Sequence, residues 1–93
     1  TVTGFKAGII AYAGSIVTGN KLIENNIGIG ARGSGGLISN NSISKSAFDS
    51  KEYSIQLGYG GNTTTNFIVT GNQLGGKDVT STGSGHVVAN NKV

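Results

Sequence analysis

The chain has 93 residues, seven Lys and Arg against four Asp and Glu, and a formal net charge of +3. That length limits it to one small domain whose core would be marginal alone, and the charge is too mild to point to nucleic acid. Cysteine is absent, which excludes a disulfide framework, a thiolate metal site and a cysteine nucleophile. No apolar run reaches membrane-spanning length and no basic-then-apolar leader is visible, so membrane insertion is not expected.

The first run, TVTGFKA at 1–7, is the weakest copy of a pattern: an apolar pair, two polar or small residues, an asparagine, any residue, and an aliphatic. Here Phe5 stands where asparagine is expected. A strand is predicted over 8–12, GIIAY, and the pattern then returns as IVTGNKL at 16–22. Residues 27–31, IGIGA, alternate as a half-buried strand does. A third copy, LISNNSI at 37–43, is followed by a long stretch, 44–65, that contains the strand YSIQL at 53–57. The last copies are IVTGNQL at 68–74 and VVANNKV at 87–93, with a weak strand at Val79, Thr80 and Thr82 between them.

Recurrence of this kind decides the architecture. With Val2, Val17, Ile38, Val69 and Val88 taken as equivalent, the spacings are 15, 21, 31 and 19. The middle values fit one turn of a parallel β-solenoid, in which each position stacks on its counterpart at about 4.7–4.9 Å. The 15-residue first coil is too short for comfort: either it is cut down at a corner or the Val2 alignment is wrong. Turn columns fall at Gly14, Gly35, Asn66 and Gly85, and at Gly4, Gly19, Asn40, Gly71 and Asn90, where the chain must pass through positive φ. Asn20, Asn41, Asn72 and Asn91 form a structural asparagine column, expected to bond amide to amide. Ala7, Leu22, Ile43, Leu74 and Val93 return the chain to the core.

The run Val17-x-x-Asn20-x-Leu22-Ile23-x-Asn25-Asn26-x-Gly28-Ile29 resembles the repeats of right-handed parallel β-helix proteins, the superfamily of pectate lyases, polysaccharide epimerases and bacteriophage tailspikes. The resemblance extends over nearly the whole chain at the level of repeats. It implies an all-β fold: a right-handed parallel β-helix segment of about four to five coils, 1–93 forming one segment of a longer chain. Absence of an initiator methionine agrees with a fragment or processed product. No catalytic motif of the superfamily can be carried over onto these residues.

The stretch 44–65 makes the third coil about ten residues longer than its neighbours, and such insertions map to one face, often the binding face. It holds Phe48, Lys51, Tyr53 and Tyr59 as candidate carbohydrate contacts, because aromatic faces stack on pyranose rings. Asp49 and Glu52 are weak catalytic candidates, a carboxyl pair of the kind glycoside hydrolysis uses. The plainer alternative is a solvated loop whose Phe48 and Tyr53 plug the barrel end. Lys6, Lys21, Ser42, Gln73 and Lys92 share one column, a basic strip or simply the exposed side of a turn. His86 is the single histidine, so no protein metal site and no cofactor are expected.

Ile16, Leu37, Ile68 and Val87 form a second apolar column beside the anchors. Adjacent strand residues face opposite ways, so this column either faces out as an oligomer stripe or lies at a corner that buries both. Three functions follow. The leading one is a module of a tailspike-like fibre, a homo-oligomer expected as a trimer, recognising bacterial surface polysaccharide, extracellular or on a virion surface. The second is a fragment of a secreted polysaccharide lyase, hydrolase or epimerase. The third is a non-enzymatic structural or ice-binding solenoid.

Overall fold

The structure, a computed structural model, describes residues 1–3, 7–23, 25–44, 53–61, 63–76 and 79–92. Short β-branched runs end at residues that enter the left-handed region, so strands here are two to five residues long. In chain order they are β1 (Val2–Thr3), β2 (Ala7–Ala11), β3 (Ile16–Thr18), β4 (Lys21–Ile23), β5 (Ile27–Ala31), β6 (Gly33–Ser34) and β7 (Leu37–Ser39). There follow β8 (Ser42–Ser44), β9 (Tyr53–Leu57), β10 (Thr64–Thr65), β11 (Ile68–Thr70), β12 (Val79–Ser81) and β13 (Val87–Ala89).

The fold is all-β and its sheets are parallel. The first sheet has the order β1-β4-β8, continued by bridges from Ser42 to Gln73 and from Gln73 to Lys92. The second is β2-β5-β9-β12 and the third β3-β7-β11-β13. A small pair, β6 with β10, is continued by a bridge from Thr65 to Ser84. Parallel neighbours cannot be joined by a hairpin. The chain instead passes from first sheet to second to third and back to the first, in that order, through four circuits.

Register follows the repeat. Val17, Ile38, Val69 and Val88 lie on one another, as do Ile9, Ile29, Ile55 and Val79 in the second sheet. Val2 does not join the first of these columns. It pairs with Leu22, and Leu22 with Ile43, so Val2 opens the first sheet. Ala7 likewise pairs with Ile27 in the second sheet and not with Leu22. Fifteen residues cannot visit three sheets and return, so the expected fifth anchor is one strand out of place. Gly4, Phe5 and Lys6, expected in the turn, asparagine and basic columns, lie outside the described residues.

Both turn columns are in the left-handed region: Gly14, Gly35, Asn66 and Gly85 before the third-sheet strands, and Gly19, Asn40, Gly71 and Asn90 after them. Asparagine tolerates that region better than other non-glycine residues because its short amide bonds locally. Among the described residues, Asn40, Asn66 and Asn90 are the non-glycine residues at positive φ.

The interior is filled by aliphatic columns: Val17, Ile38 and Val69 from the third sheet, Leu22, Ile43 and Leu74 from the first, Ile29, Ile55, Ala31 and Leu57 from the second, with Phe67 between them. Space between sheets is narrow. A Cβ on Gly28 would stand 2.9 Å from Ile43 Cγ2 and 2.5 Å from the Ser54 carbonyl oxygen, so backbone itself packs on the aliphatic column there. Ser54 follows in the adjacent strand, fully buried, and its hydroxyl donates to the Leu74 carbonyl.

One polar column runs beside this core. The Asn20 backbone N–H and Nδ2 both donate to Asn41 Oδ1, at 3.0 and 3.1 Å. Asn41 treats Asn72 in the same way at 3.0 and 2.9 Å, and Asn72 treats Asn91 at 3.0 and 2.9 Å. Each amide also reaches back one circuit: Asn41 Nδ2 donates to the Val17 carbonyl, Asn72 to Ile38 and Asn91 to Val69. Asn41 and Asn72 are buried, and among the described residues no buried side-chain nitrogen or oxygen lacks a partner.

Asn41→Leu removes an acceptor of two bonds and a donor of two others while leaving their partners inside. Stranded buried groups cost about 1–3 kcal/mol each, with partial relief by relaxation. Urea denaturation is expected to show a loss of about 3 kcal/mol for Asn41→Leu and about 1 kcal/mol for Asn91→Leu, which sits at the end of the column. Equal losses at the two positions would show that the column does not carry the stability assigned to it.

Candidate functional site

Alternate residues of the second sheet face outward. Ile10, Gly30, Gln56 and Thr80 form one outward row, each on its neighbour's register. Gly30 leaves a gap in that row, and the Tyr59 ring fills it: a Cβ on Gly30 would lie 2.6 Å from Tyr59 Cγ. A turn at Tyr59–Gly61, with Gly60 at φ 72°, follows β9 and leaves the side chain over the neighbouring strand β5.

Arg32 holds the ring from the other side. Its guanidinium carbon lies 5.3 Å from the Tyr59 ring centroid, within cation–π range. Its Nε–H donates to the Tyr59 carbonyl at 3.2 Å, which fixes the stem. Register continues past the strand ends: Arg32 N–H donates to the Ala11 carbonyl, Gly58 N–H to Ala31 and Thr82 N–H to Leu57, at 2.9, 2.9 and 3.0 Å. Tyr12 therefore stands one circuit from Arg32 in a second row, and it is 56% exposed. Its backbone is fixed by a reciprocal turn, Ser15 N–H donating to the Tyr12 carbonyl and Tyr12 N–H to Ser15 Oγ.

The result is a patch with two tyrosines, a guanidinium between them in sequence register, an amide at Gln56 and a hydroxyl at Thr80. Planar apolar surface flanked by fixed donors and acceptors suits a polyhydroxylated ligand. Among the described residues the patch holds no carboxylate. All four acidic residues, Glu24, Asp49, Glu52 and Asp78, lie outside the described residues, as do Phe48 and Lys51. Of the residues singled out from sequence, Tyr59 is in the patch, and Tyr53 stands at the other end of β9, half-buried and opposite Ile27. Tyr12, Arg32, Ile10 and Gln56 were missed. The signal for them was the period of two in strands already aligned, together with a glycine in mid-strand at position 30.

The third sheet presents a different outer face. Ile16, Leu37, Ile68 and Val87 point outward in one row; Ile16 is 71% exposed and Leu37 is half-buried. Two residues further on lie Thr18, Ser39, Thr70 and Ala89, with Ser39 Oγ donating to Thr18 Oγ1 at 3.2 Å. Lys21, Ser42, Gln73 and Lys92 line the outside of the first sheet. The His86 ring lies tilted against Phe67, centroids 6.3 Å apart, and accepts the Phe67 N–H at Nδ1, which makes it a support for the buried ring. Among the described residues no group of three or more His, Cys, Asp or Glu side chains gathers to hold a metal ion.

Compared with family models, with curated proteins and with solved structures, the chain matches none.

Two glycines lie beneath aromatic rings, and their variants separate the site from the core. Gly36→Ala would put a Cβ 2.3 Å from Cε2 of the fully buried Phe67, whereas Gly30→Ala meets the half-buried Tyr59. Overpacking a core position costs about 1–3 kcal/mol. Thermal unfolding should place Gly36→Ala in that range and Gly30→Ala well below it. The ring-current shift of the residue-30 Hα should nevertheless vanish in Gly30→Ala; retention of that shift would mean the ring is not seated on the strand.

Proposed function

We propose that the chain is a segment of a right-handed parallel β-helix belonging to a tailspike-like fibre that binds bacterial surface polysaccharide. The cyclic order of the sheets supports the helix, and its hand follows from the twist rule that makes about 98% of parallel crossovers right-handed. The observation that carries the function is Tyr59 seated on Gly30 with Arg32 against it. A ring locked on a rigid sheet keeps its exposed face in place before a sugar arrives, so little side-chain entropy is lost on binding. Tyr12, Gln56 and Thr80 extend the platform along the stack, as a chain-like ligand requires. The exposed Ile16, Leu37, Ile68 and Val87 row supports a homo-oligomer, with a trimer covering three such rows. This reading places the protein outside the cell or on a virion surface.

Affinity electrophoresis against bacterial capsular and lipopolysaccharide preparations tests the site. One preparation is expected to retard the wild type, with Tyr59→Ala and Tyr12→Ala each losing roughly fivefold to tenfold in affinity, about 1–1.4 kcal/mol per aromatic contact. Tyr53→Ala should bind as the wild type does if the platform is the whole site. Full retention in both Tyr12→Ala and Tyr59→Ala removes the site from this face.

The oligomer has its own test. Sedimentation should show Leu37→Glu with Ile68→Glu running as a folded monomer beside an associated wild type, since two charges in the row oppose its burial. A wild type that already runs as a monomer at all concentrations removes the trimer.

A further inference from the structure

The charged side chains among the described residues are Lys21, Arg32 and Lys92, all cationic, and of these Arg32 stands in the tyrosine platform. Two contacts hold it in one pose. Its Nε–H is committed to the Tyr59 carbonyl at 3.2 Å, and its guanidinium carbon lies 5.3 Å from the Tyr59 ring centroid. A guanidinium carries five N–H donors in a planar fork, and the remaining four are on Nη1 and Nη2. None of these four meets an acceptor among the described residues, and Arg32 makes no ion pair there. The side chain is half-buried, so it has given up part of its hydration. A ring face compensates a cation less fully than a hydrogen-bonded anion does.

We propose that Arg32 is an anion seat within the platform, and that the polysaccharide the platform binds is therefore acidic. The inference rests on the platform reading above and names what that platform discriminates. Side-on approach to the guanidinium is closed, because Nε–H is already spent on Tyr59. An anion is met end-on instead by Nη1 and Nη2, two parallel donors that fit two oxygens of one group. Both tyrosines border this seat. The Tyr59 ring lies against the guanidinium, and Tyr12 stands one interstrand step away in the same row, about 4.8 Å. A pyranose stacked on either ring brings a substituent at its edge to the fork. Gln56 and Thr80, further along the stack, are neutral, so no described side chain of the patch repels an anion. The carboxylate of a uronosyl residue and a pendant phosphate offer the same pair of oxygens, and the test below separates them.

The probe is the bacterial polysaccharide preparation that retards the wild type, run in its native form and with its anions removed. Carbodiimide activation with borohydride reduction removes carboxylates, and hydrofluoric acid removes pendant phosphates. The wild type should bind the native form roughly tenfold to hundredfold more tightly than the neutralised one, the range of a charge-assisted hydrogen bond. Whichever treatment causes the loss identifies the anion. Arg32→Gln should bind both forms alike, and Arg32→Lys, which keeps the charge without the fork, should recover only part of the difference. A side chain that merely holds the Tyr59 ring would act on both forms by one factor. Equal loss on native and neutralised forms in Arg32→Gln therefore overturns the inference. So does wild-type affinity that neither treatment changes, and so does a retarding preparation without anionic groups. In those three cases Tyr59→Ala still weakens binding, and the platform reading stands. If no preparation retards the wild type, or if Tyr12→Ala and Tyr59→Ala both bind in full, the platform reading fails and takes this inference with it. The comparison on the wild type needs no variant, so a poorly folded Arg32→Gln leaves the test intact.

Discussion

The paired strand residues of this molecule each have a counterpart one circuit away as a neighbour. A residue choice is therefore constrained vertically before it is constrained by anything along the chain. The asparagine column shows the constraint in its strictest form, because Asn41 must present an acceptor to the circuit before it and two donors to the circuit after it. Leucine of similar size fills the space and keeps only the backbone N–H bond to Asn72. Aspartate accepts and cannot donate. Only a side-chain amide of this length meets both demands at a bend where backbone groups would otherwise be stranded.

With those bends fixed, little else is needed to close a core. Strands of three residues contribute one inward side chain each, and their isolated pairing would be weak. Stacking makes them continuous, so that Val17, Ile38 and Val69 act as one apolar surface facing Leu22, Ile43 and Leu74. The close approach at Gly28 lets the second sheet come down on Ile43 without a void. The same stacking holds register across a spacing of 31 residues, from Ile38 to Val69, beside one of 19, from Val69 to Val88. Insertion length is thus free in this design, while column identity is not.

Columns are also what made the fold legible. Anchors at 17, 38, 69 and 88, the eight described turn positions and the four second-sheet strands can be read from spacing alone, since each repeats a physical requirement that recurs in every circuit. Val2 misled because Val2, Thr3 and Gly4 reproduce the local pattern of Val17, Thr18 and Gly19; only the length of a full circuit separates the two. The outer platform was less legible for a related reason. Tyr12, Arg32 and Tyr59 occupy different strand positions and recur nowhere, so no column announces them. Tyr59 reaches Gly30 by a turn whose direction depends on Gly60, and Arg32 finds the ring only after that turn is made. Composition drew attention to the long stretch 44–65, but half of the platform lies in circuits of ordinary length.

That division between repeated and unrepeated residues orders the whole surface. The anchor and asparagine columns are held to one chemistry because a mismatch there leaves either a cavity or a buried unpaired group, whereas the Phe67 position is filled by Gly36 and His86 in the neighbouring circuits. Outward positions carry no such demand, so each sheet can take its own character: tyrosine, arginine and amide on the second, aliphatic and hydroxyl rows on the third, lysine and glutamine on the first. A row that is nonetheless uniform on the outside, as Ile16, Leu37, Ile68 and Val87 are, is not explained by the internal constraint. Water alone would not select it either, since exposed aliphatic side chains gain nothing there. Its uniformity supports the proposed homo-oligomer, in which a partner surface with the same period as the stack would cover the row.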